Sequence, residues 1–437
     1  MEGAQGSIVS MSAAMTALAE EARRDPYAAL RYSDYRFFLT GRLAASMGSQ
    51  MIDVAIGWEL YERTHRALAL GFVGLVQVVP IILLALPAGH VADRFDRRRI
   101  GMLSLLLLIA GSLSLALISF TVAPIPLIYI TLFAIGVALA FHRPAIAALL
   151  PQLVPAEKFA NAVTWNSVGW QLASVIGPAV GGLIIAWRHH AGIVYVIDAA
   201  LMLVFVVCLT QIRGRQVART RKAVTIQSLL GGVRFVWHTK VILAAITLDL
   251  FAVLFGGATT LLPVFAKDIL HVGAEGFGWL RASPSNGAVI VAILLLGRPP
   301  MRRAGKSLLL AVAGFGLATI VFGLSRSFPL SILMLILAGG LDMISVVVRQ
   351  TLVQLRTPDE MRGRVSAVNS VFIDTSNELG GFESGASAAL FGPIISVVGG
   401  GIVTVLVVTA VAVAWPELRS MRGLADDLPE HSMGEGT

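Results

Sequence analysis

Gly89-His90-Val91-Ala92-Asp93-Arg94-Phe95-Asp96-Arg97-Arg98-Arg99 is a short charged segment between two long apolar runs. The run behind it covers roughly 69–92, and the run ahead covers 100–120. Each approaches or exceeds the roughly 20 apolar residues that one helical crossing of a hydrocarbon core requires. Neither has the polar face of a helix packed on a soluble core, so both read as membrane spans. With so short a link the two spans run antiparallel, and the arginines stay on one face of the membrane.

Moving outward, the same pattern predicts spans near 36–61, 69–92, 100–120, 124–149, 160–187 and 191–211. A second set follows near 240–266, 275–297, 305–325, 328–354, 363–389 and 393–415. The expected fold is an all-α membrane protein of twelve helices in two six-helix halves. Its parts are a tail (1–35), a first half (36–211), a linker (212–239), a second half (240–415) and a closing tail (416–437). The bulk numbers agree. Of 437 residues, 56% are hydrophobic and 14% charged, whereas soluble chains carry about a quarter charged residues.

The net charge of +8 sits in clusters between spans, so it reads as a topology signal and no nucleic-acid partner is expected. One side of the membrane receives Arg94 and Arg97–Arg99, the linker arginines, Arg298, Arg302, Arg303 and Lys306, then Arg356, Arg362 and Arg364. The other receives Arg63, Arg66, Arg188, Lys267 and Arg326. The positive-inside rule assigns the rich side, and with it both termini, to the cytoplasm. No cleavable signal peptide is read at the start, where Glu20, Glu21, Arg23, Arg24 and Asp25 leave no apolar segment. The lone Cys208 allows no disulfide within the chain, and no histidine spacing suggests a metal. No cofactor is implied. No nucleophile–base pair or nucleotide-binding loop is read, so an enzyme is not expected.

The halves resemble each other. Asn166-Ser167 recurs as Asn369-Ser370, and Gly177 and Gly182 recur as Gly380 and Gly385 at the same spacing. Gly71-Phe72 likewise pairs with Gly276-Phe277, and Arg97-Arg98 with Arg302-Arg303. Two parallel repeats suit a transporter with its site between them at mid-membrane.

Gly89 predicts close helix contact, and Asp93 places an acid among arginines that can bond a neighbouring helix end. The segment resembles the loop signature of the major facilitator superfamily, G-x-x-x-D-R-x-G-R-R/K. That resemblance makes Gly89, Asp93, Arg94, Arg97 and Arg98 a gating loop. Asp96 stands where the family has glycine, so the turn is expected to differ. The matching loop of the second half, Gly297 to Arg303, lacks the acid. In the fifth span, Gly177-Pro178-Ala179-Val180-Gly181-Gly182 combines a helix-bending proline with glycines that admit a close neighbour. It resembles the G-P-x-x-G-G antiporter motif of exporters in this superfamily; a kink without directional meaning is the plainer alternative. Gly48-Ser49-Gln50-Met51, Ala55–Thr64 and Leu149–Pro155 resemble the enterobactin-exporter-like and multidrug-efflux branch.

Ionisable groups inside spans are costly, so they usually face the bundle interior. Arg42, Ser46, Ser49, Gln50 and Asp53 fall at i, i+4, i+7, i+8 and i+11 on one face of the first span. Arg143, Trp165, Asn166, Asp249, Asp342, Arg349 and Asn377 are further embedded candidates for the substrate cavity. Asp53, Asp374 and Glu378 are the proton-coupling candidates, with the last two an i, i+4 pair able to share a proton. Each acid reads equally as a static ion-pair partner, for instance Asp342 with Arg349. Trp165 reads either as a stacking platform or as an interfacial anchor. The expectation is a secondary exporter of a small amphiphilic compound. It would work by proton antiport as a monomer in the bacterial cytoplasmic membrane, with an importer or lipid-translocating member of the fold as the alternative and a non-transporting membrane sensor or scaffold as a remote one.

Overall fold

The computed structural model describes residues 25–212, 226–256, 258–295 and 303–421. Among them no strand occurs. The first half holds α1 (Ser33–Thr64), α2 (Ala67–Arg94), α3 (Arg97–Phe120), α4 (Ile125–Leu149), α5 (Phe159–Arg188) and α6 (Gly192–Gln211). The second holds α7 (Lys240–Phe255, resuming at Ala258–Ile269), α8 (Gly273–Leu295), α9 (Ala304–Leu324), α10 (Phe328–Arg356), α11 (Asp359–Phe391) and α12 (Pro393–Ala414).

Pairings repeat between the halves. α2 packs on α4 as α8 packs on α10; α1 packs on α5 as α7 packs on α11; α3 packs on α4 and α6 as α9 packs on α10 and α12. The halves meet through α5 against α8 and α11 against α2, again a symmetric pair. Large apolar side chains on the outside, such as Leu103, Leu107 and Leu117 of α3, are exposed. A protein in water rarely exposes such a continuous apolar belt; here lipid covers it.

Nine segments of the described residues are long and apolar enough to span a membrane. The other long helices are α1, α8 and α11. Their polar residues have a common cause: these helices turn Asp53, Arg281 and Glu378 towards an internal cavity instead of lipid. Local hydropathy therefore drops where the site is built.

Two elements differ from expectation. The seventh span is not one helix. It breaks at Gly256 and continues as a 3-10 turn (Ala258–Leu261) and a π-turn (Phe265–Ile269). Gly256 and Pro263 interrupt the regular ladder there. The expected linker 212–239 contains a helix, Ile226–His238. Its apolar residues Ile226, Leu229, Leu230, Val233, Val236 and Trp237 recur at helical spacing, and it docks on α11 with Val236 buried. The linker arginines 213–221 lie outside the described residues, as does the segment 297–302 that holds most of the second-half loop.

Candidate functional site

Where α1, α2, α7, α8 and α11 converge they enclose a cavity of about 430 Å³, within the roughly 300–1,000 Å³ usual for small-molecule sites. Its apolar wall includes Ile56, Leu70, Val73, Pro263 and Phe277. Its polar wall consists of Asp53, Gln77, Thr259, Thr260, Arg281, Asn377 and Glu378. Asp53 lies mid-helix yet is exposed, because it faces this cavity. The charges of Arg281 and Arg143 reach it, but no cation lies within ion-pair distance among the described residues. Across the cavity, Gly74 of α2 makes room for the Glu378 carboxylate, which occupies the space a Cβ would fill. Two acids and an arginine from three helices thus share one chamber. Such a chamber can hold a charged or amphiphilic molecule and exchange protons.

Beyond the cavity the halves are locked together on the side away from the basic loops. Gly182 of α5 meets Gly278 and Ala274 of α8; a Cβ on Gly182 would lie 2.5 Å from the Ala274 carbonyl oxygen. Gly385 of α11 meets Gly71 of α2, 2.8 Å from where its Cβ would be. The repeated glycines therefore do the same work in both halves, at symmetric crossings. Gly177 and Gly181 face α1 instead, against Gln50 and Met51, and α5 runs unbroken through Pro178. Trp58 stacks on Phe277 with ring centres 6.2 Å apart. Tyr61 donates a hydrogen bond to Asp268, and Lys267 lies 3.8 Å from Glu62. The chain is therefore closed on this side.

On the basic side the arginines cap neighbouring helix ends. Arg98 donates to the carbonyls of Thr210 and Ile212, each at 2.8 Å, at the end of α6. Arg97 donates to the Ala148 carbonyl at 3.3 Å, near the end of α4. These ends carry unsatisfied carbonyls and partial negative charge. Asp96 accepts from the backbone N–H of Arg99 at 3.1 Å and so N-caps α3. A glycine at that position would give a weaker cap. Arg98→Ala is expected to cost about 1–3 kcal/mol, read as a lower melting temperature in detergent. Arg94 is exposed, so Arg94→Ala should stay within about 0.5 kcal/mol of the parent. Equal shifts for the two would remove the capping role.

Several sequence expectations land elsewhere. Gly89 makes no close helix contact: nothing lies within 4 Å of its Cβ position, because α2 turns that face away from its neighbours. The side chains of Asp93 and Asp374 lie outside the described residues. Arg42, Ser46, Ser49 and Gln50 are absent from the cavity wall, since the lower part of α1 packs within its own half; Arg42 sits 6.0 Å from the Phe38 ring centre. Arg143 is not in the wall either, acting on Asp53 only through its charge. Trp165 donates to the Pro26 carbonyl at 2.8 Å and packs on Tyr27, which ties the entering chain to α5. Asn166, its neighbour, keeps a buried Oδ1 without a partner and stays out of the wall. Asp249, Asp342 and Arg349 belong to a separate cluster in the second half, and Arg349 pairs with Asp249 at 3.2 Å, not with Asp342. Asp198 is fully buried, accepting from Ser112 at 2.6 Å.

Arg281, Gln77, Thr259 and Thr260 escaped the sequence reading. Arg281 and Gln77 carried a usable signal, a polar residue inside an apolar span. The threonines carried none, because only the break in α7 brings them to the cavity.

A family model described as transmembrane secretion effector matches residues 24–433. The enterobactin exporters EntS of Shigella boydii serotype 18 and Escherichia coli O81 are each 24% identical over 389 residues, covering 89% of this chain and 93% of theirs. Among solved structures, a POT family transporter in complex with 5-aminolevulinic acid superposes with a TM-score of 0.70 at 13% identity, over 89% of this chain and 97% of that one. A bacterial homolog of the human lysosomal transporter Spinster gives 0.69 at 15%, over 91% and 99%. A D-xylose–proton symporter gives 0.67 at 14%, over 87% and 96%. These likenesses carry the fold.

Proposed function

Because this chain belongs to the transmembrane secretion effector family of the major facilitator superfamily, we propose that it is a secondary active exporter that drives a small amphiphilic compound outward by proton antiport. The observation that carries this is the central cavity. Apolar walls surround Asp53, Arg281 and Glu378 at mid-membrane, which suits a molecule with both apolar and polar parts. The likeness to enterobactin exporters makes a siderophore a reasonable test compound.

In this reading the basic side is cytoplasmic, both termini are cytoplasmic and the protein works as a monomer in a bacterial inner membrane. The closed side is then the outer one. Alternating access consists of opening the α5–α8 and α2–α11 crossings while the basic side closes, with Asp93 and its arginines acting as the latch there. Proton and substrate favour different states, as any ligand must to shift such an equilibrium. Asp53 and Glu378 carry the coupling proton, with Asp374 sharing it with Glu378.

Everted vesicles test the reading. With an acid lumen, a fluorescent amphiphilic dye or a catecholate siderophore should accumulate inside, and collapsing the gradient should release it. Accumulation that ignores the gradient would rule out proton coupling. No accumulation of any probe, with protein present, would rule out export of this class.

A further inference from the structure

Asp198 of α6 is fully buried inside the first half and is not part of the central cavity wall. Its Oδ2 lies 2.6 Å from the hydroxyl of Ser112 on α3, itself 1% exposed. Its Oδ1 is buried without a hydrogen-bond partner. That oxygen packs on α1, filling the space that a Cβ on Gly48 would take. Ser112 also stands 3.1 Å from the Leu108 carbonyl, one turn earlier on α3. A serine has one hydroxyl proton and cannot give it to both acceptors. With Asp198 ionised, Ser112 donates to Oδ2 and the Leu108 contact goes unmade. With a proton on Oδ2, both contacts become bonds: Asp198 donates to Ser112, and Ser112 donates to the Leu108 carbonyl.

The surrounding charges decide between the two. No cation lies within ion-pair distance of Asp198 among the described residues, and the charge that reaches it is that of another acid, Asp53. α3 carries no charged residue after Arg99, α5 none before Arg188 and α6 none besides Asp198. On α1, Arg63 pairs with Glu59 at 3.2 Å, and Tyr195 of α6 donates to the same acid at 2.9 Å. Arg42 lies by the Phe38 ring. His142 of α4 meets α6 at Phe205, two turns beyond Asp198. An ionised Asp198 would therefore be a buried charge without compensation, with one oxygen bare, and such a charge is expensive. A neutral acid leaves only a carbonyl oxygen against the Gly48 backbone. A metal cation has no place between that oxygen and Gly48; a proton needs none.

We propose that Asp198 and Ser112 form a proton-binding site closed inside the first half, where Asp198 holds its proton at neutral pH. The proton adds to Oδ2 and turns the carboxylate into a carboxylic acid. Gly48, Ser112 and Asp198 stand on three helices of one half, so the site stays closed when the halves move against each other. Its proton also removes a negative charge from the neighbourhood of Asp53, leaving Asp53 free to gain and lose its own. That last link rests on the antiport reading; the proton site itself does not.

Infrared difference spectra between the wild type and Asp198→Asn, both full-length in lipid nanodiscs at neutral pH, test it. The wild type should show a carboxylic-acid carbonyl band that Asp198→Asn lacks. Ser112→Ala should move that band, because the acid loses its acceptor, and Asp53→Asn should keep it. Equal carbonyl absorption in the wild type and Asp198→Asn, a band indifferent to Ser112→Ala, or a band that vanishes in Asp53→Asn overturns the proposal. Unfolding in detergent is a second measurement. Unfolding brings the acid into water, where it ionises, so the unfolded chain binds fewer protons and stability falls as pH rises. From weakly acidic to neutral pH, the wild-type unfolding constant should rise about tenfold more per pH unit than that of Asp198→Asn, which has no proton to release. Equal slopes would mean that the folded acid is already ionised, against the proposal. If wild-type transport ignores pH, the antiport reading fails while both measurements still decide the site.

Discussion

Gly182→Val is expected to abolish gradient-driven transport while the protein still inserts and folds. A Cβ at Gly182 would lie 2.5 Å from the Ala274 carbonyl oxygen and 2.8 Å from Gly278 Cα. These neighbours are backbone, so they cannot swing aside. Overpacking of this kind costs about 1–3 kcal/mol. The clash exists only when the α5–α8 crossing is closed. A cost of about 3 kcal/mol confined to one state shifts a two-state equilibrium more than a hundredfold. Spin labels on the ends of α1 and α7, where Tyr61 meets Asp268, should report a wider separation. Gly385→Val should do the same through the α2–α11 crossing, since Gly385 faces Gly71 at the symmetric position. Gly89→Ala, with open space around it, should transport nearly as the parent does. Wild-type transport and unchanged label distances in Gly182→Val would show that this crossing does not gate.

Asp53→Asn carries the second large effect. The side chain keeps its size but can no longer gain or lose a proton, and Arg281 and Arg143 lose the charge they act on. Accumulation driven by a pH gradient should fall by about tenfold to a hundredfold, whereas exchange at equal pH should survive. The sign follows from antiport. Under the proposed antiport, acid on the outer side would load the carboxylate and the neutral cytoplasmic side would unload it, so wild-type accumulation should rise with the pH difference. The Asp53→Asn line should be flat. If its slope matched the parent's, the coupling group would have to be sought at Glu378 or in the Asp342 cluster. Glu378→Gln is the companion test, because its carboxylate shares the same chamber.

Much of this was legible in the residues alone. Span positions are local, set by how many apolar residues run together, and the structure moves them by only a few residues apart from the break in α7 and the helix in the linker. The glycine repeat was legible too. Gly177 and Gly182 recur as Gly380 and Gly385, and the structure places both pairs at tight crossings. What hydropathy could not tell is against what a buried charge is buried. Asp53, Asp249, Asp342 and Glu378 look alike in sequence, each a carboxylate in an apolar span. Tertiary packing divides them. Asp53 and Glu378 turn to the central chamber with Arg281, while Asp249 turns inward to Arg349 and Asp342 stays exposed beside it. The sequence by itself determined that the chain crosses the membrane many times as two related halves, because that depends on the free energy of each segment in lipid. Which acids meet, and which side is closed, depends on contacts between residues far apart in the chain, such as Gly182 with Gly278 and Gly71 with Gly385, and only the packed helices decide it.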